Sequence, residues 1–318
     1  MNPALLKEFE AGLNPRFVER SRIPAQVIGY GEISTVLAIE APGLEGLAFK
    51  RMPIFYTQEE VDRYTATYLE YLRLLQEEIG LRLPPHAHVS FPRPNGLPVF
   101  YIIQQRLPAE SIGNRLLHQL PDEAILLLVR RVLRELRKVW DFNRRQTRIQ
   151  VGIDGQISNW AIADYLPERL DPENATLLYL DTSTPLFRVD GVEQLDTELF
   201  LRSAPSFLVW ILRLLFLKDV VNRYYDFHRV AVDLVANFYK EKRADLIGRA
   251  VATVNDFFTG EAADLNVPPI TEKEVRSYYR EDAFIWSLYL AMRRLDRFLR
   301  TRVLRGEYPY ILPEKIER

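Results

Sequence analysis

Cysteine is absent from this chain of 318 residues, and histidine occurs only four times. The lack of cysteine excludes disulfide bonds, thiolate nucleophiles and cysteine-ligated metal sites, and it fits a reducing compartment. The histidines form neither the H-x-x-x-H nor the H-E-x-x-H spacing. His86 and His88 lie in a proline-rich segment that we interpret as an exposed loop. A zinc site is therefore not expected.

A surplus of positive charge is also lacking, because 42 Lys and Arg residues face 43 Asp and Glu residues. The net charge of −1 gives no bulk field that would attract nucleic acid, so no nucleic-acid partner is expected. Apolar residues make up 47% of the chain, enough for a sizeable buried core.

Long apolar runs are missing as well. The longest, Phe207 to Asp219, is interrupted by Arg213 and is shorter than the ~20 residues that cross a bilayer. The N-terminus has an amphipathic helical pattern without the apolar run of a signal peptide. We expect a buried helix at 207–219, no membrane insertion and a cytoplasmic protein.

The first third of the chain predicts a small antiparallel sheet that carries one helix. Short β-prone runs between Val27 and Phe49 are separated by glycine and Pro-Gly turns, and another β-prone run covers 98–108. Between them, a helical pattern begins with Thr57 as its N-cap and ends at Gly80. We therefore predict an N-terminal helix in 1–24 and a sheet-containing lobe in 25–108.

The rest of the chain predicts a larger, mostly helical lobe in 109–318. A long helix begins at Asp122, and two β-prone segments flank Asp154. A third β-prone segment ends at Asp181, and helical patterns dominate from Thr197 to Arg305. The fold class predicted is α+β with two lobes.

Gly29 and Gly31 lie between two predicted strands, which disfavours a dinucleotide-binding fingerprint because that motif needs a following helix. A strand–Gly-x-Gly–strand hairpin instead lets backbone N–H groups approach phosphate oxygens. The alternative is that both glycines only form a turn.

Lys50 ends the third predicted strand, where an ATP-binding fold places a lysine on the α- and β-phosphates. The alternative is a solvated lysine at the end of a strand. The helix that follows could supply an acidic partner for it, with Glu70 as first choice and Glu59 and Glu60 behind it.

The segment around Asp154-Gly155 has two interpretations. Asp154 and Asn159 have the D-x-x-x-x-N spacing that places a base near a hydroxyl nucleophile and an amide oxygen on Mg²⁺. Asp181, at the end of an apolar strand, is placed to chelate the same metal. Asp-Gly between β-prone runs is equally a signal for a two-residue hairpin turn with no chemistry.

Taken in order, Gly29-Tyr30-Gly31-Glu32-Ile33-Ser34, Lys50, Asp154, Asn159 and Asp181 resemble the protein-kinase-like superfamily. The likeness is greatest to its small-molecule branch, the aminoglycoside phosphotransferase and choline kinase relatives, and it spans Val27 to Pro185. It implies ATP between the lobes and a phosphotransferase that acts on a small hydroxylated molecule.

The resemblance also implies individual roles. Gly29, Gly31 and Ser34 would cover the phosphates, while Asn159 and Asp181 would hold Mg²⁺. In the same comparison Lys50 would position the phosphates, Asp154 would accept the proton of the substrate hydroxyl, and Ile102 to Gln105 would lead to the hinge.

This sequence departs from the family around both aspartates. Gly152-Ile153 precedes Asp154 where the family has His-Arg or His-Gly, and Thr182-Ser183 follows Asp181 where it has Phe-Gly. Two alternatives therefore stay open: a catalytically degenerate module that binds nucleotide or regulates a protein partner, and a helical scaffold with a coincidental motif set.

Four polar residues share one face of a predicted helix in the second lobe: Arg223, Asp226, Asp233 and Asn237. One interpretation is a solvent-facing polar stripe. The other assigns Asp226, Asp233 and Asn237 to an acidic substrate pocket. The aromatic-rich segment around Trp286 is interpreted as helix packing.

Overall fold

The computed structural model describes residues 3–31, 33–202 and 221–313. Its N-terminal part is a five-stranded antiparallel sheet in the spatial order β1-β2-β3-β5-β4. The α+β class is confirmed, because this sheet is followed by a mostly helical region. The strands are β1 (Ala25–Tyr30), β2 (Thr35–Ile39), β3 (Leu47–Met52), β4 (His86–Pro92) and β5 (Pro98–Gln105).

Strand β4 corrects the interpretation of the histidine segment as a loop. His88 pairs with Ile102 across an antiparallel ladder, and its ring stacks on Phe100 with centroids 5.6 Å apart. The strand lies at the edge of the sheet, where polar side chains are tolerated and proline can flank a ladder. Its composition therefore lacked the apolar alternation of a central strand.

Helix α2 (Gln58–Arg73) begins where the sequence predicts. Thr57 is the N-cap, and it forms a capping box in which its Oγ1 accepts from the backbone N–H of Glu60 at 3.3 Å. The Glu60 carboxylate accepts in return from the backbone N–H of Thr57. The chain leaves the helical segment at Gly80, whose φ of +79° suits glycine. The buried side chains of α2 are Val61, Tyr64, Tyr68, Tyr71 and Leu72.

Strand β5 is buried on both faces, which explains its continuous apolar run. Phe100 and Ile102 belong to the large core shared with α2 and the second lobe. Tyr101 and Ile103 point to the opposite face and join a smaller core. That smaller core is completed by helix α1 (Pro3–Ala11) and by residues near the C-terminus such as Ile311.

The second lobe is built on helices in its described part. The predicted helix at 207–219 lies outside the described residues. Within the described ranges, no helix is long and apolar enough to span a membrane. The helices are α3 (Gly113–Gln119), α4 (Asp122–Arg145), α5 (Glu198–Leu201), α6 (Phe227–Lys240), α7 (Ile247–Thr259) and α8 (Glu272–Phe298).

Short strands between α4 and α5 show that the interpretation of Asp154-Gly155 as a hairpin turn is wrong. The short strands are β6 (Ile149–Val151), β7 (Trp160–Ile162), β8 (Leu177–Tyr179), β9 (Phe187–Val189) and β10 (Val192–Glu193). Strand β6, before this dipeptide, pairs with β9, and β7, after it, pairs with β8, so β6 and β7 do not form a hairpin with each other.

Gly155 is required for close packing rather than for a turn. A Cβ atom at this position would lie 2.5 Å from Val230 Cγ1 and 3.2 Å from Leu136 Cδ1. The chain therefore passes against α4 and α6 immediately after Asp154, and both helices support the segment that carries this carboxylate.

Candidate active site

The pairing of β7 with β8 brings Asn159 and Asp181 together. Trp160 pairs with Tyr179, which places the preceding Asn159 opposite the following Leu180. The backbone N–H of Leu180 donates to the Asn159 carbonyl at 2.8 Å. Asp181 is the next residue, so both predicted metal ligands lie at the same end of this two-stranded ladder.

Lys50 reaches the same place from the N-terminal sheet. Its Nζ donates to Asp181 Oδ1 at 3.1 Å and to the Leu180 carbonyl at 2.8 Å. The Lys50 side chain is 9% exposed and that of Asp181 is 26% exposed. Gln104 Nε2 also donates to the Leu180 carbonyl, at 3.3 Å. The sheet and the second lobe are thus joined by polar contacts at the predicted phosphate-binding lysine.

Asp181 is held in its ionised form. Burial would raise the pKa of its carboxyl, but Lys50 and the hydrogen bonds from Ser183 outweigh burial and bring that pKa below its usual value. Ser183 Oγ donates to Asp181 Oδ1 at 2.7 Å. Among the described residues these bonds all fall on Oδ1, and none is made to Oδ2.

Asp154 sits in a different electrostatic environment. Burial, and then the nearby carboxylates of Asp233 and Asp181, raise the pKa of Asp154 well above its usual value. Its Oδ1 accepts from the backbone N–H of Gln156 at 3.0 Å, which fixes the side chain in an Asx turn. Its carbonyl accepts from Asn159 Nδ2 at 3.4 Å.

A cavity of about 150 Å³ lies beside these groups, and Lys50 is not part of its described lining. Asp154, Asn159 and Asp181 line it on one side, and Tyr30 and Gly31 line it from the glycine segment. The structure therefore brings the predicted base, both predicted metal ligands and Gly31 of the glycine segment to one cleft. Other lining residues include Gln156, Ser158, Ser183, Arg223, Lys240, Asp282 and Trp286.

The glycine segment is only partly in the cleft. Gly31 N–H donates to the Ser34 carbonyl at 2.9 Å, and a Cβ at Gly31 would lie 2.7 Å from Ser34 Oγ, so a side chain here would displace the Ser34 hydroxyl. Gly29 lies in β1 at a register shift, and Ser34 is 7% exposed. Neither Gly29 nor Ser34 lines the described cavity, and Glu32 lies outside the described residues.

The expected glutamate partner of Lys50 is not observed. The Glu70 carboxylate binds Arg73 on the same helix at 2.9 Å for each of two bonds, whereas Lys50 binds Asp181. Glu60 binds Arg202 at 2.6 Å and caps α2. The one-turn spacing between Glu70 and Arg73 on the helix surface gives this carboxylate a nearer cation.

Tyrosines occupy the face of α2 that the second lobe covers. Tyr64 Oη donates to the Ser183 carbonyl at 2.8 Å, and Tyr71 Oη donates to the Gly152 carbonyl at 3.0 Å. Burial raises the pKa of the intervening Tyr68 to about 12, and Thr182 opposes this rise. Helix α2 therefore approaches both aspartate-bearing segments with neutral hydroxyls.

Residues 21–297 match the model of a family described as a family of unknown function, DUF6206. The chain belongs to this family. No curated protein matches it. Among solved structures, WaaP in complex with acyl carrier protein is 14% identical to the DUF6206 chain, with 92% of each chain covered and a TM-score of 0.39.

The GDP complex of wild-type aminoglycoside 2'-phosphotransferase-IIIa is 11% identical, with 76% of the DUF6206 chain and 94% of that chain covered and a TM-score of 0.34. A GDP and kanamycin complex of an aminoglycoside phosphotransferase gives 11% identity, coverage of 77% and 96%, and a TM-score of 0.34. At these identities and TM-scores, the matches carry no conclusion about what the DUF6206 chain binds.

The polar helix face of the DUF6206 chain corrects its interpretation as a solvent-facing stripe, while the assignment to a substrate pocket stays a prediction. Helix α6 begins only at Phe227, so Asp226 is its exposed N-cap and accepts from the backbone N–H of Arg229. Asp233 and Asn237 are 5% and 3% exposed, so they are not part of a solvent-facing stripe. Asp226, Asp233 and Asn237 do not line the described cavity.

Asp233 instead lies behind the cleft. Gln156 Nε2, which borders the cavity, donates to Asp233 Oδ2 at 3.3 Å. Burial, partly opposed by Arg223 and reinforced by Asp282, raises the pKa of Asp233 from 3.8 to about 6. Because the folded-state pKa is raised, ionisation of Asp233 opposes folding, and its contribution to stability is lost as pH rises from about 4 through 6.

We expect Asp233→Asn to raise the free energy of unfolding above pH 6 and to leave it nearly unchanged at pH 4. The neutral amide removes the cost of a buried charge while keeping an acceptor for Gln156. Urea unfolding of both proteins from pH 4 to pH 8 measures this difference. An equal difference at every pH would show that Asp233 does not titrate in this range.

The lining of the cleft includes residues that the motifs did not single out. Lys240 Nζ donates to Gln156 Oε1 at 3.5 Å, and Arg223 pairs with Asp282 at 3.6 Å. Trp286 lines the cleft although its segment was interpreted as packing alone. Lys240, Asp282 and Trp286 come from the ends and faces of two helices, so sequence spacing gave no signal for their convergence with Asp154.

The donor set fits a magnesium ion with few protein ligands. Asp181 Oδ2 and Asn159 Oδ1 are hard oxygen donors, and Mg²⁺ commonly takes one or two protein oxygens and completes its shell with phosphate and water. No group of three or more His, Asp or Glu side chains in the described ranges is placed to hold a metal ion. A metal here would therefore depend on phosphate oxygens.

The fit to a nucleotide is partial. The cavity volume of about 150 Å³ is below the roughly 300–1,000 Å³ of pockets for drug-sized ligands. It has room for phosphate groups and a metal ion. The expected hinge residues Ile102 to Gln105 are absent from its described lining, so this cavity does not extend to the strand predicted to meet the base.

Proposed function

We propose that this chain is a magnesium-dependent phosphotransferase that uses ATP and acts on a hydroxyl of a small molecule. The observation that carries the proposal is the contact of Lys50 with Asp181 at 3.1 Å across 131 residues of sequence. This contact lies beside the cavity that Asp154, Asn159 and Gly31 also line. A phosphoryl-transfer site needs this combination: a cation for phosphates, oxygen ligands for a metal, and a carboxylate near the acceptor.

The contacts support the proposed binding roles. Lys50 Nζ, held between two acceptor oxygens, is placed to bind phosphate oxygens when they enter the cleft. The Gly31 turn brings backbone without side chains to the cavity wall. Asp181 Oδ2 and Asn159 Oδ1 are the atoms that would hold Mg²⁺. When bound, Mg–ATP supplies the phosphoryl group and neutralises charge at the transferred phosphate.

Asp154 is the group that we assign to the substrate hydroxyl that accepts the phosphoryl group. Its Oδ1 is engaged by the backbone of Gln156, so Oδ2 is the atom that accepts the proton of the substrate hydroxyl. The raised pKa of Asp154 gives this carboxylate a higher proton affinity than that of Asp181, as a general base requires. The two carboxylates thus divide proton transfer and metal binding between them.

A second function is favoured by α2. Tyr64 and Tyr71 bind the second lobe where a glutamate partner for Lys50 was expected, and the cavity is small. These features suit a module that binds a nucleotide without transferring its phosphoryl group. Binding and turnover therefore have to be measured separately.

Titration calorimetry with ATP, performed once with Mg²⁺ and once with EDTA, tests whether the protein binds the nucleotide. We expect magnesium-dependent, saturable binding that Lys50→Met weakens by ~10-fold or more, since a charge-assisted hydrogen bond is lost. The matched control is Lys138→Met: Lys138 binds Glu135 at 2.6 Å on α4, and Glu135 keeps Arg131 at 2.6 Å in the variant.

The outcomes separate the candidates. Magnesium-dependent binding together with ADP formation supports the phosphotransferase. Binding without ADP formation supports the nucleotide-binding module. If the wild-type protein binds no ATP at all, both functions are rejected.

A further inference from the structure

A second cavity of about 880 Å³ lies on the outer face of the N-terminal sheet. Lys50 and Arg51 are consecutive on β3 and point to opposite faces, Lys50 to Asp181 of the candidate active site and Arg51 to this cavity. The cavity is bordered by the end of α1, the β4–β5 turn and the end of α8. Its charged lining is dominated by arginines: Arg16, Arg51, Arg93, Arg294, Arg297 and Arg302.

Arg93, in the β4–β5 turn, is the decisive residue. It is only 8% exposed, and its Nε has no hydrogen-bond partner in the part of the chain that the structure describes. Burial, and then the neighbouring Arg51, lower the pKa of Arg93, and Glu10 and Glu307 do not restore it. No described carboxylate forms an ion pair with Arg93, and a buried guanidinium in this position is costly, so a bound anion would stabilise this arrangement.

The carboxylates of the lining do not neutralise the arginines. Both oxygens of Glu10 bind Arg51, at 2.7 and 2.5 Å. Glu307, the other acidic residue of the lining, accepts from Asn95 at 3.4 Å. Arg297, in the last turn of α8, is half-buried, and Arg302, in the helical turn that follows α8, is exposed; both line the same cavity. The cavity therefore keeps an excess of positive charge.

We propose that this outer cavity binds a phosphate-bearing ligand, with Arg93 at its base and Arg297 at its rim. Guanidinium groups form paired hydrogen bonds to phosphate oxygens, and several of them can share one phosphate. The volume of about 880 Å³ falls within the roughly 300–1,000 Å³ of small-molecule sites. The inference does not depend on the proposed phosphotransferase, because the two cavities lie on opposite faces of the sheet.

Titration calorimetry with inorganic pyrophosphate in EDTA, at constant ionic strength set with NaCl, tests the inference. EDTA removes the metal that the cleft would need, and constant ionic strength keeps charge screening equal. We expect saturable binding that Arg93→Gln and Arg297→Gln each weaken by ~10-fold or more. Lys50→Met and the matched surface variant Arg148→Gln should bind like the wild type; Arg148 pairs with Asp190 away from the cavity.

Two further measurements make the result decisive. Urea unfolding without anion should give Arg93→Gln at least the stability of the wild type, because an unpaired buried charge is removed. Sedimentation with phosphatidylglycerol vesicles, compared with neutral phosphatidylcholine vesicles, distinguishes a lipid headgroup from a free phosphorylated molecule. No saturable pyrophosphate or vesicle binding, or binding that neither arginine substitution weakens, overturns the proposal.

Discussion

Asp154→Asn is expected to lower the rate of ADP formation from Mg–ATP by ~10²–10⁴-fold, the usual contribution of a positioned general base. The amide keeps the hydrogen bond from the backbone N–H of Gln156 but cannot accept a proton. The affinity for Mg–ATP should change little, because Lys50, Asn159 and Asp181 remain in place. ADP formation with water as acceptor, and calorimetric binding of Mg–ATP, measure the two effects separately.

Asp164→Asn is the matched control for this substitution. Asp164 lies in the loop after β7, is exposed, and has a φ of 50° that asparagine adopts readily. Its substitution should leave ADP formation unchanged. Because the carboxylates of Asp233 and Asp181 oppose ionisation of Asp154, the Asp154→Asn protein should be at least as stable as the wild type. Full turnover by Asp154→Asn would remove this residue from its assigned role.

Glu10→Ala is expected to lower the free energy of unfolding by about 3–5 kcal/mol, the cost of leaving one partner of a buried ion pair alone. Glu10 and Arg51 side chains are each 3% exposed. Arg51 also donates to the Pro309 carbonyl at 2.7 Å, and Tyr101 donates its hydroxyl to Glu10. Burial alone would lower the pKa of Arg51, but Glu10 raises it above its usual value, so the arginine stays charged.

Glu8→Ala provides the comparison on the same helix. Glu8 pairs with Arg22 at 3.1 Å, but the two side chains are 47% and 73% exposed, so we expect a loss of at most about 1 kcal/mol. The double variant Glu10→Leu with Arg51→Met should recover most of the stability lost in Glu10→Ala, since no buried charge remains unpaired. Urea unfolding at pH 7 measures all three proteins. Equal losses for Glu8→Ala and Glu10→Ala would mean that the Glu10 pair contributes no more than a surface pair.

Local signals in the sequence were sufficient for most of the secondary structure. Thr57 with Glu60 marks the start of α2, and the β-prone runs mark β1, β2, β3 and β5. Strand β4 was missed because an edge strand has no need of an apolar face. The domain boundaries at 24 and 108 remain predictions.

The candidate site was predictable where chain order fixes it and not where packing does. The D-x-x-x-x-N spacing and the strand before Asp181 singled out Asp154, Asn159 and Asp181, and these residues line one cleft in the structure. The partner of Lys50 is Asp181, 131 residues away in the sequence. The position of Glu70 on its helix could not indicate a contact over this separation. The packing of Gly155 against Val230 likewise has no local signature, so its dipeptide resembled a hairpin turn.

The two tyrosine bonds of α2 affect how the lobes can move. Tyr64 and Tyr71 attach this helix to the carbonyls of Ser183 and Gly152, which lie beside the two cleft aspartates. If the sheet moves away from the second lobe to admit a ligand, α2 has to stay attached to the second lobe or break both buried hydrogen bonds. The hinge of such a motion would then lie between α2 and the strands, and the register of Tyr64 and Tyr71 with the aspartate segments would be the same in open and closed forms.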